Sequence, residues 1–188
     1  MTSLPQGMTF LTVLALTTAF AAASAGAAEP AEIVTRIHAA TPTGDGAVLG
    51  TVRAQAAEAP AVGVVFTTDL TGLAPGQHGF HMHENPSCAP AANKDGQMVP
   101  ALAAGGHFDP DKTGRHEGPE GKGHLGDLPH LTVGADGVSK ASVTAPRLTM
   151  DRLAGHSLML HVGGDNYSDH PAALGGGGAR MACGVVGR

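Results

Sequence analysis

Tryptophan is absent from this sequence of 188 residues, tyrosine occurs once, and aromatic residues make up only 3% of the chain. A core without large rings has to be built from Val, Leu, Ile, Ala and Met. The length suffices for one domain with one core and hardly for two. No block of like charge stands out either: the formal charge is −5, with both signs spread along the chain. That excludes the electrostatic footprint of a nucleic-acid binder. Helical spacing of apolar residues is missing over any useful length, and there are no internal repeats. Cysteine is scarce, at Cys88 and Cys183 only.

Against these absences stand 28 glycines and 13 prolines, which point to many turns and long ordered loops. Eleven histidines beside one tyrosine are the odd figure, and histidine at that density invites a metal reading.

The one sizeable apolar run without charge covers residues 10–23 and leads into Ala23, Ser24, Ala25, Gly26, Ala27 and Ala28. This is the hydrophobic region and small-residue cleavage site of a secretory signal peptide, although no Lys or Arg precedes it. Residues 1–28 are read as that leader, with cleavage after Ala25 or Ala28, and residues 29–188 as the folded domain. The rival, an uncleaved anchor, suffers from a run shorter than the ~20 residues a span needs. No lipobox cysteine follows the run, so soluble release without a membrane anchor is expected. In an oxidising compartment two cysteines pair. Their other reading, as soft metal ligands, lacks a CxxC neighbour.

Eight short β-like runs follow, at 33–39, 48–54, 62–68, 78–83, 131–133, 138–144, 157–162 and 183–186, separated by turn residues such as Ala135-Asp136-Gly137. They predict an all-β fold, an antiparallel sandwich or barrel. A short helical turn fits residues 150–153. Between His83 and Leu131 almost fifty residues carry little strand signal and are dense in Gly, Pro, His and Asp; a loop of that length in a small domain is functional or disordered. A second glycine-rich stretch covers 163–178.

Three groups of histidines carry chemistry. In Gly79-Phe80-His81-Met82-His83 the strand period of two places His81 and His83 on one face and Phe80 and Met82 on the other. By itself the pair also fits two polar residues on a solvent face. His107, His116, His124 and Asp127 offer three imidazoles and a carboxylate, a donor set that closes a tetrahedral zinc shell; the plain alternative is a set of surface histidines in a loop. His161, on the apolar run Leu158-Met159-Leu160-His161-Val162, gains weight only in company.

Taken together these segments resemble the copper/zinc superoxide dismutases, the bacterial periplasmic branch in particular. The resemblance rests on Gly79-Phe80-His81-Met82-His83-Glu84-Asn85-Pro86-Ser87-Cys88, Ala104-Gly105-Gly106-His107-Phe108-Asp109-Pro110, His124-Leu125-Gly126-Asp127-Leu128-Pro129, His161-Val162-Gly163-Gly164-Asp165-Asn166, and Gly175 through Val185 with Arg180-Met181-Ala182-Cys183 at its centre. It covers essentially all of the chain after the leader.

The resemblance implies an eight-stranded antiparallel Greek-key β-barrel with long metal-binding and glycine-rich loops. It implies one copper per chain on His81, His83, His107 and His161, and one zinc on His107, His116, His124 and Asp127, with His107 shared. Asp165 would receive the free N–H of His81 and His116 and fix both rings. Arg180 would supply positive potential and donors for an anion, and a Cys88–Cys183 disulfide would tie the long loop to the last strand. The implied reaction is dismutation of superoxide to oxygen and hydrogen peroxide in the periplasm, with His107 and Arg180 as catalytic groups and superoxide as substrate. No nucleic acid, and no membrane after leader cleavage, is expected as a partner; a homodimer is preferred over a monomer. Lys94, Lys112, Arg115 and Lys122 could steer the anion, though solvated loop charge is the better account of each. His38, His78, His130, His156 and His170 fall outside the ligand positions, and His78 is the best placed of them to support the site. A copper binder without turnover, a secreted zinc hydrolase and a purely structural β domain are the rivals; metal content and redox activity separate them.

Overall fold

The computed structural model describes residues 1–2 and 32–188. The apolar run and cleavage sites of the expected leader lie outside the described residues. Strands β1 (Ile33–Thr41), β2 (Gly44–Ala56), β3 (Val64–Leu70), β4 (Gly76–His78) and β5 (Phe80–His83) come first. A two-residue hairpin, β6 (Ala91–Ala92) and β7 (Met98–Val99), interrupts the long loop. Strands β8 (Leu131–Val133), β9 (Ser142–Ala145), β10 (Ser157–His161) and β11 (Arg180–Val185) complete the chain. All eight expected runs form strands. The fourth is split, because Gly79 divides it into β4 and β5, which pair with different partners. The helical turn expected near 150–153 is a 3-10 turn, Met150–Arg152.

Seven strands form one antiparallel sheet in the order β5-β10-β11-β1-β2-β3-β9. Strand β4 pairs with β8, and β8 runs into β9 through a turn in which Gly134 N–H donates to the Val138 carbonyl at 2.8 Å. The β4–β8 ribbon thus joins the two edges of the sheet, which curls into a barrel. The connections from β3 to β4 and from β9 to β10 cross to non-neighbouring strands, the Greek-key pattern. Among the described residues, no helix is long and apolar enough to cross a membrane.

The barrel fills with the alternate residues of its strands. Ile37, Val52, Phe66, Leu70, Phe80, Met82, Leu131, Leu158 and Leu160 are essentially inaccessible and make one cluster. With no Trp available, Phe66 and Phe80 supply a ring pair in the core, edge to face at 5.6 Å between centroids. Residues between these inward positions point outward, and on β5, β10 and β11 that outer face is covered rather than wet. Met159 and Cys183 are buried there with Cys88, Ala101 and Ala104 of the long loop. A disulfide joins Cys88 to Cys183 across 95 residues of sequence.

The long loop is ordered by lying back along β5. Phe108 N–H donates to the Met82 carbonyl at 2.8 Å, and Met82 N–H donates to the Gly126 carbonyl at 2.9 Å. His107 faces His83 and Asp127 faces His81 in isolated bridges. Gly126 is required by space: a Cβ there would sit 2.2 Å from the Met82 carbonyl oxygen.

Candidate metal centre

Strand alternation delivers the first two candidate ligands. Phe80 and Met82 enter the core, so His81 and His83 face outward beneath the long loop, at 0% and 1% exposure. His161 comes from the end of the neighbouring strand β10, and the loop segment paired to β5 brings His107 over them. The four rings offer nitrogens that all lie within 4.8 Å of one another.

The outer nitrogens of these rings are committed, which fixes their tautomers. His81 Nε2 donates to Asp165 Oδ2 at 2.8 Å. His83 Nδ1 donates to the Gly105 carbonyl and His161 Nδ1 to the Gly178 carbonyl, each at 3.0 Å. The inner nitrogens therefore present lone pairs. His83 Nε2 and His161 Nε2 face each other at 3.4 Å, and His81 Nδ1 and His107 Nε2 are buried without any hydrogen-bond partner. Lone pairs converging in a dry site repel one another unless a cation lies between them. The donor set, all imidazole, is one that copper accepts.

A second cluster shares His107. Its Nδ1 lies 2.9 Å from Asp127 Oδ1; the Nδ1 atoms of His116 and His124 lie 2.9 and 3.2 Å from the same oxygen. His116 Nδ1 is buried and, despite that approach, has no aligned hydrogen bond. Three imidazoles and one carboxylate on a common centre are a complete tetrahedral set for zinc. His107 thus turns Nε2 to one cluster and Nδ1 to the other.

Asp165 spans both. Its Oδ2 accepts from His81 and its Oδ1 from His116 Nε2, both at 2.8 Å, and Tyr167 N–H adds a third bond. Burial would raise the Asp165 carboxyl, but these donors hold it well below the usual carboxylate range. Asp127 is held down in the same way by His107 and His116. In the metal-free chain burial and the neighbouring His107 lower His81 to about 3, and burial brings His161 to about 4. His116 behaves oppositely. Burial opposes its charge, yet Asp127 and Asp165 outweigh it and raise the ring to about 9.

Arg180 begins β11, directly opposite His161 in the β10–β11 register. Its guanidinium is half-buried and donates to the Ala101 and Gly105 carbonyls at 2.5 and 2.6 Å. The Gly105 carbonyl thereby accepts from both Arg180 and His83, linking the cation to a candidate copper ligand.

The structure brings together every candidate ligand; Asp165 bonds His81 and His116, Arg180 stands opposite His161, and Cys88 is bonded to Cys183. Of the other histidines, His78 is buried, with Nδ1 2.8 Å from the His161 carbonyl oxygen. His130 receives or donates a 2.8 Å bond with the Tyr167 hydroxyl, His156 packs on Phe108, and His38 makes only a 3.4 Å contact with the Gly46 carbonyl. His170 is exposed, as are Lys94, Lys112, Arg115 and Lys122; Arg115 is paired with Glu117. Two contributors left no mark in the sequence. Asp169 accepts from the backbone N–H of His116 at 2.8 Å and from that of Leu174 at 3.0 Å, and Arg147 donates to backbone carbonyls around His124. Neither belongs to a local pattern that could have revealed it.

The family model for copper/zinc superoxide dismutase matches residues 48–186. A superoxide dismutase [Cu-Zn] of Brucella abortus is 57% identical over 152 residues, covering 80% of this chain and 86% of the relative. The solved Cu/Zn superoxide dismutase from Brucella abortus superposes with a TM-score of 0.77 at 55% identity, over 82% of this chain and 98% of that one. The solution structure of the monomeric copper, zinc superoxide dismutase from Salmonella enterica gives 0.73 at 54% identity, over 83% and 99%. With an all-β barrel, two histidine clusters and this similarity along nearly the whole described chain, the protein belongs to the copper/zinc superoxide dismutases, oxidoreductases that use copper and zinc to convert superoxide to oxygen and hydrogen peroxide.

Proposed function

We propose that His81, His83, His107 and His161 hold the catalytic copper, that His107, His116, His124 and Asp127 hold the zinc, and that Arg180 receives the superoxide anion. The observation that carries this assignment is the orientation of His107, whose Nε2 has no protein partner while its Nδ1 faces the carboxylate of the second cluster. Copper, cycling between two oxidation states, supplies the electron transfer for dismutation, and zinc supplies a fixed charge that keeps its ligands in place.

The chain's own groups do the rest. Arg180 offers a cation and directional donors beside His161, where an anion is drawn in and oriented. Burial lowers the charged form of His81, His83 and His161, so these rings are neutral and available as ligands at pH 7. His107 Nε2 holds a proton in one half of the cycle and passes it to the product in the other; water supplies the second proton. Two superoxide anions and two protons thus give one oxygen and one hydrogen peroxide. Asp165 keeps the His81 and His116 rings from rotating during the cycle.

Residues 1–28 act as a leader for export to the periplasm, an oxidising compartment in which the Cys88–Cys183 bond persists. The working unit is a single chain, because all seven candidate ligands and Arg180 come from it; the Salmonella enterica relative, described as monomeric, supports this reading over the dimer preferred from the sequence. The test is superoxide dismutation by the purified protein loaded with one copper and one zinc, beside His161→Ala. Fast turnover that collapses in the variant supports the copper assignment. Equal turnover in both, or copper binding without turnover in the parent, refutes it.

A further inference from the structure

The stretch between His116 and His124 is Glu117-Gly118-Pro119-Glu120-Gly121-Lys122-Gly123, with three glycines in seven residues. Such a segment has little intrinsic order, and closing it to bring two rings to one ion costs conformational entropy. Something outside it must hold it closed if the ligands are to be preorganised.

Arg147 is placed to do so. It follows β9 in the turn Ala145-Pro146-Arg147-Leu148, where Leu148 N–H donates to the Ala145 carbonyl at 3.3 Å. Ala145 and Leu148 are both in the core, 3% and 1% exposed, and Pro146 presets the turn. Gly63 backs it: a Cβ there would come within 2.3 Å of the Ala145 carbonyl oxygen and 2.6 Å of Pro146 Cα. The side chain therefore leaves from a fixed point. Its half-buried guanidinium makes three bonds to the ligand-bearing loop. Nε donates to the Pro119 carbonyl at 3.1 Å, one terminal nitrogen to the Gly123 carbonyl at 3.1 Å, and the other to the carbonyl of His124 itself. Among the described residues it has no carboxylate partner.

A half-buried charge committed wholly to backbone carbonyls is an expensive way to hold a loop. It has a geometric advantage, since the planar fork fixes three oxygens in one arrangement, which an ammonium cannot do. We propose that Arg147 is a positioning residue for zinc, clamping the 117–124 segment so that His124 is presented to the ion in a closed loop. This rests on the assignment of zinc to His107, His116, His124 and Asp127. The same clamp has no contact with His81, His83 or His161, so its effect falls on zinc and not on copper.

The experiment compares Arg147→Lys with the parent and with His124→Ala. Three readings are taken: zinc release to a chelator, copper affinity of the zinc-loaded protein, and thermal midpoints with and without zinc. Cobalt(II) absorption then reports ligand geometry in the zinc cluster directly. Arg147→Lys should release zinc about 10–100-fold faster, the range seen when groups supporting metal ligands are lost. The gain in midpoint on adding zinc should shrink, the cobalt spectrum should change, and copper affinity should stay at the parent value. Unchanged release with an unchanged cobalt spectrum overturns the proposal, as does an equal loss of midpoint with and without zinc, which marks a general anchor. If His124→Ala keeps zinc as the parent does, the zinc assignment fails and this inference with it. If that variant loses zinc while Arg147→Lys keeps it, only the inference fails.

Discussion

Arg180 and His161 are cross-strand partners, held side by side by the register of β10 and β11 at the point where a bulge interrupts it. This places a guanidinium next to a candidate copper ligand, and its bonds to Ala101 and Gly105 keep it there. Arg180→Ala should lower the rate of superoxide dismutation about tenfold or more, the loss expected for one charge-assisted contact to an anion. It should also flatten the dependence of the rate on salt, since salt screens the attraction between the half-buried guanidinium and an approaching anion. Pulse radiolysis across an ionic-strength series checks both; a rate that stays at the parent value removes Arg180 from the reaction.

Gly175 touches the carboxylate that joins the two metal clusters. Its φ is +70°, in the left-handed region, and a Cβ would lie 2.0 Å from Asp165 Oδ1 and 2.9 Å from His116 Nε2. Gly175→Ala must therefore push Asp165 away from the rings it orients, in addition to the backbone strain. Zinc affinity should fall about 10–100-fold, as read by competition with a chelator. Unaltered zinc affinity would show that Asp165 does not govern the rings.

The Cys88–Cys183 bond closes a loop spanning 95 residues of sequence. Replacing both cysteines by serine should cost ~4–5 kcal/mol in the chain-entropy view of such a cross-link. Urea denaturation of the metal-loaded protein measures this. Because the long loop also carries the Ala101 and Gly105 carbonyls that hold Arg180, activity should decline before the fold is lost. Activity that survives up to the unfolding transition would separate the bond from the site.

The metal-free protein should be most stable near neutral pH. His116 is raised to about 9, chiefly by Asp127 and Asp165 against the effect of burial. Its contribution is complete below the unfolded value of 6.5 and is lost as the pH rises through 9. His81 and His161 are lowered, by burial first, to about 3 and about 4. The unfolded chain binds protons at these rings below 6.5 while the native chain does not, so stability falls from there toward pH 4. Urea midpoints of the metal-free protein at pH 4.5, 6.5 and 9 should peak in the middle. A steady rise toward either end contradicts the environments described for these rings.

Several parts of the site were legible from the sequence because they depend on local rules. The alternation Phe80, His81, Met82, His83 assigns two rings to one face whatever the rest of the barrel does, and β5 obeys it. Turn residues marked off most of the strands. The donor types at 107, 116, 124 and 127 named zinc chemistry before any contact was known. Other parts were illegible for equally physical reasons. Gly79 was expected within one strand, yet it separates β4 from β5, because their pairing partners lie on opposite sides of the barrel's seam. Asp169 and Arg147 act through backbone atoms far away in sequence, and a backbone carbonyl carries no residue-specific signal.

The sequence by itself determined the strand alternation, the disposition of core and outer faces, the ligand types and, through resemblance, the chemistry they serve. Only the tertiary structure decided which nitrogen of His107 faces which cluster, that Asp165 reaches His81 and His116 together, and that Arg180 stands opposite His161. Alternation is a property of one strand with a period of two, readable from neighbours in the chain. Register, loop closure and the direction of a buried ring are settled by packing among segments as distant in the chain as His38 and Cys183, and no local rule encodes them.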